Sequence, residues 1–157
     1  MSIINVVGAK IWGGGEQYVY DICKQLQQLH RTAYILVDQS NEDMQSRYAQ
    51  VGHVMTANLY TLKGFLSVNA VAKQMKEQGI NTIVCHSGKY ILFCIALKQL
   101  TGAKLVFIKH NLVPGKTDIY HRWINAQVDA FVCVSKLVYD DLMTPAIKDT
   151  SKYYVVY

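Results

Sequence analysis

Apolar residues fall along the chain in two alternating rhythms. Short β-rich runs, Ile3 to Val7, Tyr34 to Val37, Thr82 to Cys85, Leu105 to Ile108 and Ala130 to Val134, are separated by longer stretches with helical spacing. Runs of this kind read as strands and the intervening stretches as helices. Because the runs are continuous rather than alternating, both faces of the sheet they form should be covered. The pattern predicts an α/β fold, a Rossmann-like three-layer sandwich with a mainly parallel sheet between helix layers.

The first helix is expected from about Glu16 to Leu29, with Val19, Ile22, Cys23, Leu26 and Leu29 on the stripe that packs on the sheet. The second, about Lys63 to Gln78, carries Phe65, Val68, Val71, Ala72 and Met75 and is stopped by Gly79. The third, about Gly88 to Leu100, is apolar almost all round from Ile91 to Leu97 and should be the most buried. These stripes read as core, not as a cofactor box. Asn41-Glu42-Asp43 can open a short helix, and a weak strand is expected around His53 to Met55. A loop from Asn111 to Lys116 leads to a short helix containing Tyr120 to Ile124, and a last helix starts near Ser135 and stops at Thr144-Pro145. Tyr153 to Tyr157 is a strand-like run that stops without turn or cap. It reads as a cut within a longer protein, the alternative being a natural terminal strand.

At 157 residues, 51% of them hydrophobic and 17% charged, the chain suits one domain. Two prolines, ten glycines and no biased tract argue against disorder. The longest unbroken apolar stretch, Tyr90 to Leu97, is far short of the roughly 20 residues of a membrane-spanning helix. The start, Met1-Ser2-Ile3-Ile4-Asn5, has neither a basic leader nor a small-residue cleavage site, so a cytoplasmic location is expected. Cys23, Cys85, Cys94 and Cys133 are scattered in apolar surroundings without a Cys-x-x-Cys pair, which predicts buried free thiols rather than a zinc site or a disulfide framework.

The net charge of +5 is concentrated between Lys63 and Lys116, where eight lysines face the single acid Glu77. Solvated helix faces account for such a segment; so does attraction to phosphate, to an anionic acceptor or to an acidic membrane surface. Nucleic acid is not expected, because the basic residues are spaced singly and no stacking aromatic motif accompanies them.

In an open parallel sheet, ligands bind beyond the carboxyl ends of the strands. Three sequence segments fall there. Gly13-Gly14-Gly15-Glu16 ends a loop after the first strand and opens a helix; adjacent glycines admit an oxygen-rich ligand, or simply serve the loop's torsions. The spacing is neither Gly-x-Gly-x-x-Gly nor Walker-type, so no nicotinamide or ATP site is implied. Cys85-His86-Ser87-Gly88-Lys89 leads from strand to helix, with Ser87 a candidate N-cap and His86 a structural or a substrate-binding histidine. Lys109-His110-Asn111 ends another strand, where a neutral imidazole can hydrogen-bond a sugar hydroxyl. Ser135-Lys136 follows the Phe131 to Val134 run, and Ser135 can cap the next helix or face a ligand. No nucleophile with an evident base and no carboxylate pair announces a hydrolase.

Taken together, Gly13-Gly14-Gly15-Glu16, Val84-Cys85-His86-Ser87, Thr101 to Phe107 leading to His110, and Val128 to Lys136 resemble family 4 glycosyltransferases in order and spacing. The resemblance spans essentially the whole chain, least well between Asp38 and Lys63. It implies a GT-B architecture in which residues 1–157 form a single Rossmann-like, acceptor-side N-terminal domain and the C-terminal donor-binding domain is absent from this chain. It also implies a retaining enzyme that moves a sugar from a nucleotide-sugar donor to a glycan or lipid-linked acceptor, the fragment alone being inactive. Neither metal nor cofactor is implied, the nucleotide sugar being a co-substrate. By motif, Gly13, Gly14 and Gly15 with Glu16 would lie under the donor diphosphate and beside the acceptor. His110 would contact the transferred sugar as the catalytic residue. His86, Ser87 and Asn111 would bind substrate, and Ser135 and Lys136 would border the cleft. Asn111 departs from the Gly or Asp that commonly follows the strand-end histidine. The expected setting is the cytoplasmic face of a bacterial membrane, with peripheral association at its anionic surface, in polysaccharide biosynthesis. The alternatives are a stand-alone binding or membrane-recruiting module that partners a separate donor-binding subunit, and a binder of some other nucleotide.

Overall fold

A computed structural model describes residues 2–60, 64–112, 115–116, 118–143 and 150–156, without the side chain of Phe65. Seven strands, β1 (Ser2–Val7), β2 (Tyr34–Asp38), β3 (His53–Ala57), β4 (Ile80–Cys85), β5 (Lys104–Lys109), β6 (Ala130–Cys133) and β7 (Tyr153–Val155), form one sheet in the order β3-β2-β1-β4-β5-β6-β7. Every neighbouring pair is parallel. Between them run α1 (Gly14–Gln28), α2 (Glu42–Tyr48), α3 (Gly64–Glu77), α4 (Ile91–Thr101), α5 (Ile119–Gln127) and α6 (Lys136–Leu142). The sheet is a Rossmann-like α/β sandwich, as the near-continuous apolar runs predict.

The two faces sort by alternation along each strand. Ile4 and Val6 of β1, Leu36 of β2, Ile83 of β4, and Leu105 and Phe107 of β5 meet Val68 and Met75 of α3 and Phe93 and Leu97 of α4. On the other face Val7, Ile35 and Val37 meet Val19 and Cys23 of α1 and Met44 and Tyr48 of α2. All four cysteines are buried free thiols.

Several boundaries differ from the sequence reading. Leu29 is not in the buried stripe of α1 but 68% exposed, because the helix closes one residue earlier. His30 takes a left-handed φ of 55°, its N–H bonds the Gln27 carbonyl, and the Arg31 N–H reaches back to Leu26. This double closure turns the chain and swings Leu29 outward. The stretch from Gly88 is also not one helix. Gly88–Tyr90 is a 3₁₀ turn with Ser87 as its cap, and α4 starts at Ile91, closed by Gly102 at φ 72°. Ile91, Phe93, Cys94, Ile95 and Leu97 of α4 are buried, as its apolar run predicts, while Leu92 is 40% exposed. Strand β3 runs on to Ala57, and α5 extends from Asp118, whose carboxylate accepts the His121 N–H, to Gln127. The expected starts and stops at Lys63 and Thr144-Pro145 lie outside the described residues.

One side chain ties the right half of the sheet together. Asp129 Oδ2 accepts the Leu105 N–H at 2.8 Å and the Lys98 ammonium at 2.7 Å, joining the α5–β6 turn to β5 and α4. Burial would raise this carboxyl, but the Leu105 N–H and the charges of Lys98 and Lys104 outweigh it and hold it below the usual carboxylate range.

Candidate functional site

The strand order reverses between β1 and β4, and above the carboxyl ends of β1, β4, β5 and β6 lies a cleft of about 840 Å³. That is the position where an open α/β sheet binds ligands, and the volume suits a small-molecule site. Its lining includes Gly14, Gly15, Glu16, His86, Ser87, His110 and Asn111. Most of the residues singled out in the sequence therefore share one wall. Gly13 adjoins it as the N-cap of α1. Ser135 and Lys136 lie outside the lining: the Ser135 hydroxyl accepts the Val138 N–H, and the Lys136 ammonium pairs with Asp140 at 2.7 Å.

The glycine loop is held from outside the cleft. Asn41, which caps α2, donates from its amide to the Ala9 carbonyl at 3.0 Å. Trp12 donates to Gln17 at 3.1 Å and packs on Tyr48, whose hydroxyl donates to the Glu16 carbonyl at 2.9 Å. Glu16 in turn accepts the Gly13 N–H at 3.1 Å, closing the start of α1. Gly13 has an extended backbone, and among the described residues only Gly79 and Gly102 are glycines at positive φ. A Cβ at Gly14 or Gly15 would meet nothing within 4 Å. Neither torsion nor packing requires glycine at these two positions, which leaves their open front on the cleft.

His86 and His110 each follow directly on a strand, β4 and β5, and their rings meet. His86 Nδ1 lies 3.0 Å from His110 Nε2, and His86 Nε2 lies 3.0 Å from Asn5 Oδ1. Tyr18 of α1 presents its ring edgewise to His110. Burial pushes His86 down to about 3, with the like charge of His110 adding to it. Burial also lowers His110, partly offset by the Glu16 carboxylate. Both imidazoles are neutral at physiological pH. Asn5 is absent from the sequence-based site, although a polar residue inside the β1 run Ile3 to Val7 was the signal for it.

Among the described residues four lysines, Lys10, Lys89, Lys109 and Lys116, line the same cleft, against Glu16 as the one carboxylate. None of them forms an ion pair among the described residues, whereas Lys73, Lys98, Lys104 and Lys136 all do. Lys109 lies over the Phe107 ring, and burial lowers it, with a further push from Lys116 and an opposing pull from Cys133 and Asp141. Among the described residues no group of three His, Cys, Asp or Glu side chains is placed to hold a metal ion, and no helix is long and apolar enough to cross a membrane.

The sequence model of Glycosyltransferase Family 4 matches residues 12–157. The chain belongs to glycosyltransferase family 4. Solved structures similar to this family 4 domain include a glycosyltransferase from Rickettsia africae ESF-5, at 18% identity and a TM-score of 0.79 over 99% of this chain and 42% of that one. Anabaena HepE in complex with UDP and glucose is similar at 15% identity and a TM-score of 0.72, over 100% of this chain and 44% of that one. Acinetobacter baumannii MurG is similar at 13% identity and a TM-score of 0.63, over 86% and 42%. At these identities the likeness establishes the fold, that of the N-terminal domain of GT-B glycosyltransferases. The family 4 domain spans less than half the length of these structures. No curated protein matches its sequence.

Proposed function

We propose that this family 4 domain is the acceptor-side half of a retaining glycosyltransferase, which transfers a sugar from a nucleotide-sugar donor to a glycan or lipid-linked acceptor. A donor-binding domain outside residues 1–157 faces it across the cleft, and residues 1–157 alone are inactive. The observation that carries this reading is the cleft itself: Gly14 and Gly15 open a helix onto it with no structural reason to be glycine, and a neutral His110 stands on the same wall. In the transfer, the bond from the anomeric carbon to the diphosphate breaks and a bond from that carbon to an acceptor oxygen forms. The acceptor's hydroxyl proton leaves with the diphosphate.

The first turn of α1 supplies backbone N–H groups and a positive dipole end to the donor diphosphate. The unpaired lysines supply positive charge to the diphosphate and to a phosphate of a lipid-linked acceptor, without a metal. His110 contacts the transferred sugar as the catalytic residue, and Ser87 and Asn111 bind substrate beside it. UDP and UDP-glucose complexes of HepE support a nucleotide-sugar donor of this class. The basic middle of the chain favours peripheral association with an anionic membrane on its cytoplasmic face.

The deciding experiment joins the domain to its donor-binding half and follows nucleoside diphosphate release from a panel of nucleotide sugars with lipid-linked acceptors. Turnover with one donor is expected, reduced at least about tenfold in His110→Ala. Unchanged turnover in that variant would remove His110 from the mechanism. No turnover with any donor would reject the transferase reading. Sedimentation with anionic liposomes at low salt tests the membrane part, which fails if the protein stays in the supernatant.

A further inference from the structure

We infer that Asn5 and His86 are positioning residues that lock His110 as its Nε2–H tautomer, leaving the Nδ1 lone pair open to the cleft as an acceptor for a hydroxyl. That the hydroxyl belongs to a sugar rests on the proposed function; the tautomer does not.

The chain of contacts begins at a buried polar side chain. Asn5 lies in the middle of β1, is 4% exposed, and projects toward α1. Its Nδ2 faces Cys23 Sγ at 3.9 Å, and its Oδ1 faces His86 Nε2 at 3.0 Å. A carbonyl oxygen only accepts, so His86 carries its proton on Nε2. Burial pushes the Cys23 thiol up to about 11, so it stays neutral and adds no charge beside the amide.

A neutral imidazole protonated on Nε2 has a bare Nδ1. That atom lies 3.0 Å from His110 Nε2, so His110 must donate there. The two ring planes are 25° apart with centroids 5.3 Å from each other. Face-to-face rings with nitrogens 3.0 Å apart would bring the centroids nearer, so the contact is an end-to-end N–H···N bond in the ring planes. With its proton committed to His86, His110 has only Nδ1 left, and among the described residues this atom has no hydrogen-bond partner.

The result is a directed chain from the sheet interior to the cleft. It runs from the Asn5 carbonyl through the His86 N–H and the His86 lone pair to the His110 N–H, and ends at the His110 lone pair. Fixing one ring's tautomer through the hydrogen bond on its other nitrogen is how buried imidazoles are oriented. Protonating His86 would place two N–H groups head to head at the His86–His110 contact. Burial opposes a cation on either ring, and Glu16 of α1 is the charged side chain that favours one on His110. Tyr18, edge-on to the ring, adds no charge at neutral pH.

Long-range ¹H–¹⁵N correlation spectra of the ¹⁵N-labelled chain at pH 7.5 read each tautomer directly. Both His86 and His110 are expected with a protonated Nε2 and a bare Nδ1. His110 protonated on Nδ1, or averaging between forms, would overturn the inference. Asn5→Asp retains the acceptor and should keep both tautomers, whereas Asn5→Leu should release His86 and His110 into tautomer mixtures. Should Asn5→Leu fail to fold, His86→Phe removes the same link without touching β1, and a His110 spectrum unchanged by it refutes the chain. A locked tautomer in an inactive protein would sink the proposed function and leave this inference standing; tautomer averaging in an active enzyme would do the reverse.

Discussion

Gly14 and Gly15 separate folding from function at single positions. Glycine in a helix costs up to ~1 kcal/mol relative to alanine, and a Cβ at Gly14 would enter open space. Gly14→Ala should therefore raise the thermal midpoint by about 2–4 °C while weakening nucleotide-sugar binding, because the methyl group intrudes on the cleft. Scanning calorimetry and a binding titration check the pair of outcomes; a lowered midpoint would show that the glycine serves the fold. His86 and His110 give a pH signature. Both are depressed in the folded chain, so the stability they favour is complete above their ordinary value of about 6.5 and is lost as pH falls below it. The unfolding free energy from urea titrations should decline from about pH 6.5 downward, by up to ~1.4 kcal/mol per pH unit for each proton taken up. His86→Gln should flatten that slope, and a slope unaltered by it would assign the dependence elsewhere. At this scale the histidines were legible because they follow directly on strands, and the glycines because three in a row open a helix. Lys109 and Lys116 were not, because only folding brings the end of β5 and the following loop onto one cleft.

Elements were legible in kind and less so at their ends. Strand and helix identities follow from apolar periodicity, which the sheet's burial on both faces imposes. The ends are set by local closures that periodicity does not encode. His30 occupies a left-handed position usually given to glycine, and so the closure of α1 ahead of Leu29 carried no sequence mark. Gly79 and Gly102, by contrast, sit at φ 64° and 72° where glycine signals a stop. Asp129 is the clearest test of how elements are joined. Asp129→Ala would leave the Leu105 N–H and the Lys98 ammonium without their acceptor, and a loss of about 2 kcal/mol is expected in urea unfolding. Because the folded carboxyl is depressed, the stabilisation it provides is present above about pH 4 and is lost as pH falls further. A variant as stable as the parent would show that Lys98 finds other acceptors, such as the Gln127 carbonyl it already reaches.

For the whole molecule, charge is distributed by role. Among the described residues Lys73, Lys98, Lys104 and Lys136, away from the cleft, form ion pairs, and the four lysines lining it do not. Like charges left unpaired around a concave surface raise the local concentration of anions. Inorganic pyrophosphate should therefore bind in the cleft with an affinity that falls as salt rises, and the double variant Lys89→Gln, Lys109→Gln should lose most of it. Salt-insensitive binding in a calorimetric titration, or binding unaffected by the double variant, would locate the anion elsewhere.

The sequence alone determined the fold class, the helix and strand succession, the buried thiols and the strand-end residues that reach the cleft, because period and apolar content are local consequences of burial in a parallel sheet. Only the tertiary structure decided which of those residues meet. It gathers His86, His110 and Asn5 from three strands into one hydrogen-bonded chain, sets four lysines around one cleft, and leaves Ser135 and Lys136 outside it. Such meetings depend on strand order and register across β1, β4 and β5, and a linear pattern does not carry the distance between residues that are 81 positions apart.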